Sequence, residues 1–111
     1  MSKDEINILI DKGCNFTGKI VFSGTARIAG ECQGEIQSTD ILVIEKGAKV
    51  DADINVGEVT IFGEVKGRIR ATDHVWIADD ASFHGDIESP SLKIAETADF
   101  QGRSLKPPQK L

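Results

Sequence analysis

Five times along this chain a small residue sits between apolar residues two positions to either side, and a sixth copy follows with serine in the last place. The centres are Gly18, Gly34, Ala52, Gly67, Gly85 and Gly102, spaced 16, 18, 15, 18 and 17 residues apart. Their flanking pairs are Phe16/Ile20, Cys32/Ile36, Val50/Ile54, Val65/Ile69, Phe83/Ile87 and Phe100/Ser104. A repeat of this length is one supersecondary unit, which buries its apolar face only by stacking on copies of itself. A stack has two ends, and the ends decide what such a protein is for.

The frame extends upstream of each centre. Four copies carry a polar corner of three residues between an isoleucine and a small residue: Ile10 to Cys14, Ile44 to Ala48, Ile77 to Ala81 and Ile94 to Ala98. Two copies are tightened at this point, Ile28-Ala29-Gly30 and Ile61-Phe62-Gly63, which explains the uneven spacing. The small residue after every corner (Cys14, Gly30, Ala48, Gly63, Ala81, Ala98) fits a tight bend with little inward space. Between corners the pattern has period two: Val59, Ile61, Gly63, Val65, Gly67, Ile69 and Ala71 alternate with polar or outward residues. Such alternation makes a strand with one face inside and one in water. No stretch holds a 3.6-residue stripe, so we expect essentially no helix. Three short strands per copy fit a 17-residue turn, and six turns stack into a rod of roughly 30 Å at about 4.8 Å per turn. Phe16, Cys32, Val50, Val65, Phe83 and Phe100 form one inner column, and Ile20, Ile36, Ile54, Ile69 and Ile87 another. Both cysteines read as inward, apolar residues in different columns, not as a disulfide pair.

One position beyond each centre stand Lys19, Glu35, Asp53, Arg68, Asp86 and Arg103, and four of the five neighbouring pairs are opposite in charge. Opposite charges across adjacent strands contribute roughly 0.2–1 kcal/mol each and help to hold the register. A solvated face of mixed sign is the simpler reading of the same column.

Chemistry is sparse. The chain carries a net charge of −5 with acids and bases intermixed, and no basic patch with interleaved aromatics, so direct nucleic-acid binding is not expected. There is no run of 18 apolar residues and no signal peptide, and two cysteines that do not read as a disulfide pair make an intracellular chain the natural setting. The two histidines, His74 in the connection between turns and His84 at an outward strand position, stand apart from any metal-spaced cluster. Asp79-Asp80 and Asp51/Asp53 read as a turn and a charged face. No nucleophile elbow, Walker loop or dinucleotide fingerprint occurs. We therefore expect no catalytic residue, no cofactor and no metal.

The ends carry the argument. Ile6, Ile8 and Ile10 already alternate, so only Met1 to Glu5 precede the first turn. After Gly102 come a few residues and then Pro107-Pro108, which favour an extended tail. Neither end shows an obvious cap, and an uncapped strand edge pairs with another copy. The contrary reading is that Leu105 folds over Phe100 and closes that end.

With its G-x-apolar pulses, its Ile44-Glu-Lys-Gly-Ala48 type corners and a compact repeat domain ahead of a Pro-rich tail, the chain resembles the bactofilins, a bacterial cytoskeletal family. The resemblance spans residues 8–104. It divides the chain into a short tail (1–7), a β-helical polymerisation domain (8–104) and a proline-containing tail (105–111). It implies an all-β fold, a right-handed parallel β-helix of about six turns with three short strands per turn. It also implies nonpolar filaments assembled without nucleotide, through head-to-head and tail-to-tail contacts. The family acts as a scaffold at the inner face of the cytoplasmic membrane, positioning cell-wall hydrolases or synthases or chromosome-segregation proteins and influencing cell shape. An apolar residue in its last turn matters for the tail-to-tail contact, and Phe100 is the match, with Leu105 beside it. Ile8, Ile10 and Phe16 are expected at the opposite end. The acidic Met1-Ser-Lys-Asp-Glu5 departs from relatives with a hydrophobic or basic anchor, so the resemblance does not extend to direct membrane binding. Two alternatives stay open: a left-handed hexapeptide-repeat acyltransferase and a monomeric adhesion or ice-binding solenoid. The first wants a strict 18-residue turn and a histidine at a subunit cleft, the second a flat threonine ladder.

Overall fold

The computed structural model describes residues 6–105, all of whose regular structure is β-strand. The segments 1–5 and 106–111, including most of both expected tails, lie outside the described residues. The strands are β1 (Ile6–Ile10), β2 (Asn15–Val21), β3 (Thr25–Ile28), β4 (Glu31–Gln37), β5 (Ile41–Ile44), β6 (Lys49–Ile61), β7 (Glu64–Ile77), β8 (Ser82–Glu88), β9 (Leu92–Ile94) and β10 (Asp99–Leu105). Every pairing is parallel.

Two ladders run the length of the molecule. One stacks β2, β4, the first half of β6, the first half of β7, β8 and β10. The other stacks β1, β3, β5, the second half of β6, the second half of β7 and β9. The chain thus winds through six rungs of a β-solenoid. The seven-residue rungs of the first ladder bend at their centres. Gly18, Gly34, Gly67, Gly85 and Gly102 all hold φ between 121° and 143°, a region closed to most side chains. The bend separates each of these strands into two short segments, and the second ladder supplies the third side of the turn.

The repeat centres stack on one another. A Cβ built on Gly85 would lie 1.9 Å from the carbonyl oxygen of Gly67, and one on Gly34 equally close to that of Gly18. Glycine recurs here because the backbone of the next rung occupies the space of a side chain. The corners follow the same logic. The four long corners close with an i to i+3 hydrogen bond: the N–H of Cys14, Ala48, Ala81 and Ala98 donates to the carbonyl of Asp11, Glu45, Ala78 and Ala95. Gly13, Gly47 and Asp80 supply positive φ at the third position of three of these turns. The tightened corners leave no room at all, since a Cβ on Gly30 or Gly63 would come within 2.5 Å of a neighbouring carbonyl.

The inner columns are in the expected register. Phe16, Cys32, Val50, Val65, Phe83 and Phe100 are successive partners, as are Ile20, Ile36, Ile54, Ile69 and Ile87. A third column, Ile10, Ile28, Ile44, Ile61, Ile77 and Ile94, runs along the other ladder. Members in the middle rungs are sealed, Phe83 at 0% exposure among them. Fully burying such a side chain contributes about 1.5–3 kcal/mol, so the columns hold the stack together.

One inward assignment is corrected. Cys14 is exposed, whereas Cys32 is buried. Cys14 ends a four-residue corner on the first rung, so no preceding rung among the described residues covers it. Burial raises the Cys32 thiol pKa by desolvation, which suppresses its thiolate. In native protein we expect one thiol equivalent to react promptly with a disulfide reagent and the second only in denaturant. Two promptly reacting thiols would contradict the buried placement.

A side chain also stitches the rungs. The Asp40 carboxylate accepts the Gly24 N–H at 2.7 Å, and its carbonyl accepts the N–H groups of Gly57 and Glu58 at 3.0 Å. Asp40 therefore ties three successive connections together. Asp40→Ala is expected to cost about 1–3 kcal/mol in urea unfolding, because the Gly24 N–H loses its charged acceptor. Asp40→Asn keeps an acceptor and should recover most of that loss.

Candidate polymer interfaces

Outward side chains settle what the flanks can do. Lys19, Glu35, Asp53, Arg68, Asp86 and Arg103 do stand in one column. Of the described ion pairs, Arg103–Asp86 (3.5 Å) belongs to it, and Arg70–Glu88 (3.2 Å) lies in the column beside it. All are solvent-facing, so they guide register more than they stabilise. His74 lies within β7, not in a connection, and its Nδ1 stands 3.4 Å from Glu58. His84 stands 4.0 Å from Asp99. At the Asp79-Asp80 corner the Thr97 hydroxyl accepts the Asp80 N–H (3.1 Å) and lies 3.3 Å from the Asp79 carboxylate. These polar groups serve the corners and strands on which they sit. No group of three or more His, Cys, Asp or Glu among the described residues is arranged to hold a metal.

The ends differ from everything between them. Among the described residues, β1 pairs only with β3 and β2 only with β4. At the far end β10 pairs only with β8 and β9 only with β7. Each terminal rung therefore offers a strand edge with backbone donors and acceptors on one side. The apolar columns run out at the same edges. Phe100 is half-buried and packs on Phe83, ring centroids 5.7 Å apart at 44°. Phe16 is likewise half-buried at the first rung, and Ile10 is nearly covered by its own turn. Ile8 and Leu105 are placed by backbone alone, opposite Ala26 and Glu88, and their side chains lie outside the described ones. Ile8, Ile10 and Phe16 thus belong to the first rung, and Phe100 and Leu105 to the last.

The structure adds residues that the sequence reading passed over. Ile94 ends its isoleucine column 41% exposed, and Leu92 is half-buried beside it. Phe22 joins the core on the first rung, beside the expected Ile20. The signal for Ile94 was present, since it opens the sixth copy of the corner frame.

A family model described as polymer-forming cytoskeletal, Bactofilin, matches residues 8–105, nearly the whole solenoid. This chain belongs to the bactofilin family. Two solved bactofilins share the fold. The cytoskeletal bactofilin BacA, determined by solid-state NMR, superimposes with a TM-score of 0.81 at 26% identity, over 91% of this chain and 96% of that one. The Thermus thermophilus bactofilin, from a cryo-EM reconstruction of double helical filaments, gives a TM-score of 0.66 at 21% identity, over 96% of this chain and 97% of that one. A comparison with curated proteins gave no match. As a bactofilin, the chain is a member of a structural, filament-forming family. The terminal strand edges, unpaired among the described residues, are the features of the fold suited to that role.

Proposed function

We propose that this bactofilin assembles without nucleotide into nonpolar filaments by stacking solenoids end to end, like end on like end. The observation that carries the reading is the pair of terminal rungs whose outer edges are unpaired among the described residues, each with an apolar column running into its edge. Residues Phe100, Leu105 and Ile94 supply one contact, and Ile8, Ile10 and Phe16 the other. Charge supports like-end pairing. A head-to-tail junction that continued the ladder would set Arg103 against Lys19 and Ser104 against Ile20. Like charges directly across strands are unfavourable. A dyad through Gly18 instead sets Phe16 against Ile20 and Thr17 against Lys19, and one through Gly102 sets Arg103 against Gln101. The filament then acts as a scaffold at the inner face of the cytoplasmic membrane for cell-wall or chromosome-segregation proteins, a role supported by membership of the family.

The test is negative-stain electron microscopy of the purified protein with no nucleotide. Long uniform filaments are expected. Monodisperse small particles across the concentration range would show that the edges are closed, and would remove the reading.

A further inference from the structure

The second ladder loses its cover at β9. Its two inward columns are sealed as far as Val75 and Ile77, both at 0% exposure, and then open: Ile94 is 41% exposed and Leu92 half-buried. The backbone opens at the same place. The N–H of Val75 donates to the Ser91 carbonyl and the N–H of Ala95 to the Ile77 carbonyl, each at 2.9 Å. Val75 and Ile77 therefore turn their polar groups to the rung that follows. Leu92 and Ile94 are their partners, and turn the same groups to an edge that no other described strand pairs. The chain itself returns to this edge. β10 lies on β8 in register from Asp99↔Ser82 to Leu105↔Glu88, so residues 17 apart face each other. After Glu88 the rung below turns through Ser89-Pro90-Ser91 onto β9. Carried forward in the same register, the sequence after Leu105 sets Pro107 over Pro90, Lys110 over Lys93 and Leu111 over Ile94.

We propose that residues 106–111 occupy this edge as a further half-turn on β9, with Leu111 over Ile94, and give way to a second copy when the ends of two solenoids meet. The displacement rests on the polymer reading above; the docking does not. Length fits, because Leu111 lies as far beyond Ser104 as Ile94 lies beyond Ile87. The prolines fit as well. In the rung below, Pro90 has no N–H and the Ser91 N–H donates to the Ser89 hydroxyl at 3.3 Å, so neither position donates to a neighbouring rung. Pro107 and Pro108 therefore forfeit no bond of the ladder, and Lys110 keeps the N–H that the Leu92 carbonyl requires. The remaining inward positions fall to Lys106, over Ser89, and Gln109, over Leu92. The last unit of a solenoid needs a polar outer face. The stems of lysine and glutamine cover apolar surface while their heads stay in water, which supplies that face. The cap is also weak, since Lys110 stands against Lys93, like charge on like, and one leucine supplies most of its apolar cover. A second copy can therefore displace it.

The direct readout is hydrogen exchange of the Leu92 amide, followed by NMR in the Phe100→Arg protein, whose last rung meets no partner. In the full-length chain this amide is expected to exchange about tenfold or more slowly than in a chain cut after Leu105. Leu111→Glu, which keeps the length of the tail, should speed the exchange as the cut does. The same two changes made in the wild-type chain should lower the threshold concentration for filaments several-fold, because the partner has no cap to displace. A Leu92 amide that exchanges equally fast with and without the tail would overturn the docking. A protected amide with a threshold that neither change moves would overturn the competition and leave the tail as a permanent cap. If neither the wild-type nor the cut protein forms filaments, the polymer reading falls and the competition with it, while the exchange rates still decide the docking.

Discussion

Phe100→Arg is expected to abolish filaments while leaving a folded solenoid. Phe100 is the last member of a column whose inner neighbour, Phe83, is fully buried, and it is only half-covered by its own chain. In an end-to-end contact the remaining surface becomes interior. Burying a guanidinium there without a partner costs several kcal/mol, and two copies meeting at one junction suffer it twice. A loss of 3 kcal/mol per junction already lowers the association constant about 150-fold. In the separate solenoid the arginine reaches solvent past the edge, so circular dichroism should retain its strand signal. Sedimentation and negative stain distinguish the outcomes. Filaments at the wild-type threshold concentration would take Phe100 out of the contact. Phe100→Leu serves as the companion, because it keeps an apolar surface and should keep assembly. An N-terminal counterpart, Phe16→Arg, should leave dimers joined through the opposite ends if like ends pair.

Gly85→Ala should be among the most destabilising single methyls in the molecule. The added Cβ would sit 1.9 Å from the Gly67 carbonyl oxygen, and the residue holds φ at +137°. The obstruction is backbone, hydrogen-bonded on both sides within an inner rung, so it has no rotamer by which to yield. We expect a loss of about 3 kcal/mol or more, equivalent to a drop of roughly 10–25 °C in Tm for a domain of this size. The measurement belongs in the Phe100→Arg background, where polymer does not add to apparent stability. Gly13→Ala separates the two causes. Gly13 also has positive φ (+84°), but a Cβ there meets nothing within 4 Å, so only the conformational cost of about 1–2 kcal/mol remains. Equal losses at the two sites would mean that the stacking of rungs at Gly85 is looser than the carbonyl contact requires.

Much of this was legible because a solenoid repeats its constraints. Every rung must place an apolar side chain over the one before, so column membership appears in the sequence as spacing. The Phe16 to Phe100 column could be read that way, and so could the two lengths of corner. What failed was local. Cys14 looks inward by its place in the frame, but the frame assumes a rung on each side, and the first rung has one only. His74 looked like a connection residue because Asp73 precedes it, whereas the ladder captures it opposite Glu58. The importance of Ile94 escaped notice for the same reason as Cys14. A repeat describes average positions, while exposure at an end depends on the missing neighbour.

The sequence by itself determined the repeat, its period, the alternation that makes strands, and the parallel stacking that follows from identical units joined in series. These are properties of spacing, and spacing is local. Tertiary structure decided which face of each strand is covered and which is left open. It brought Ile41, Phe62 and Trp76, separated by 35 positions in the chain, onto one flank, because parallel rungs about 4.8 Å apart align residues a full turn away. It also left Phe100 and Ile94 on the last rung, at an edge that no other described strand pairs, because exposure there is set by where the stacking stops.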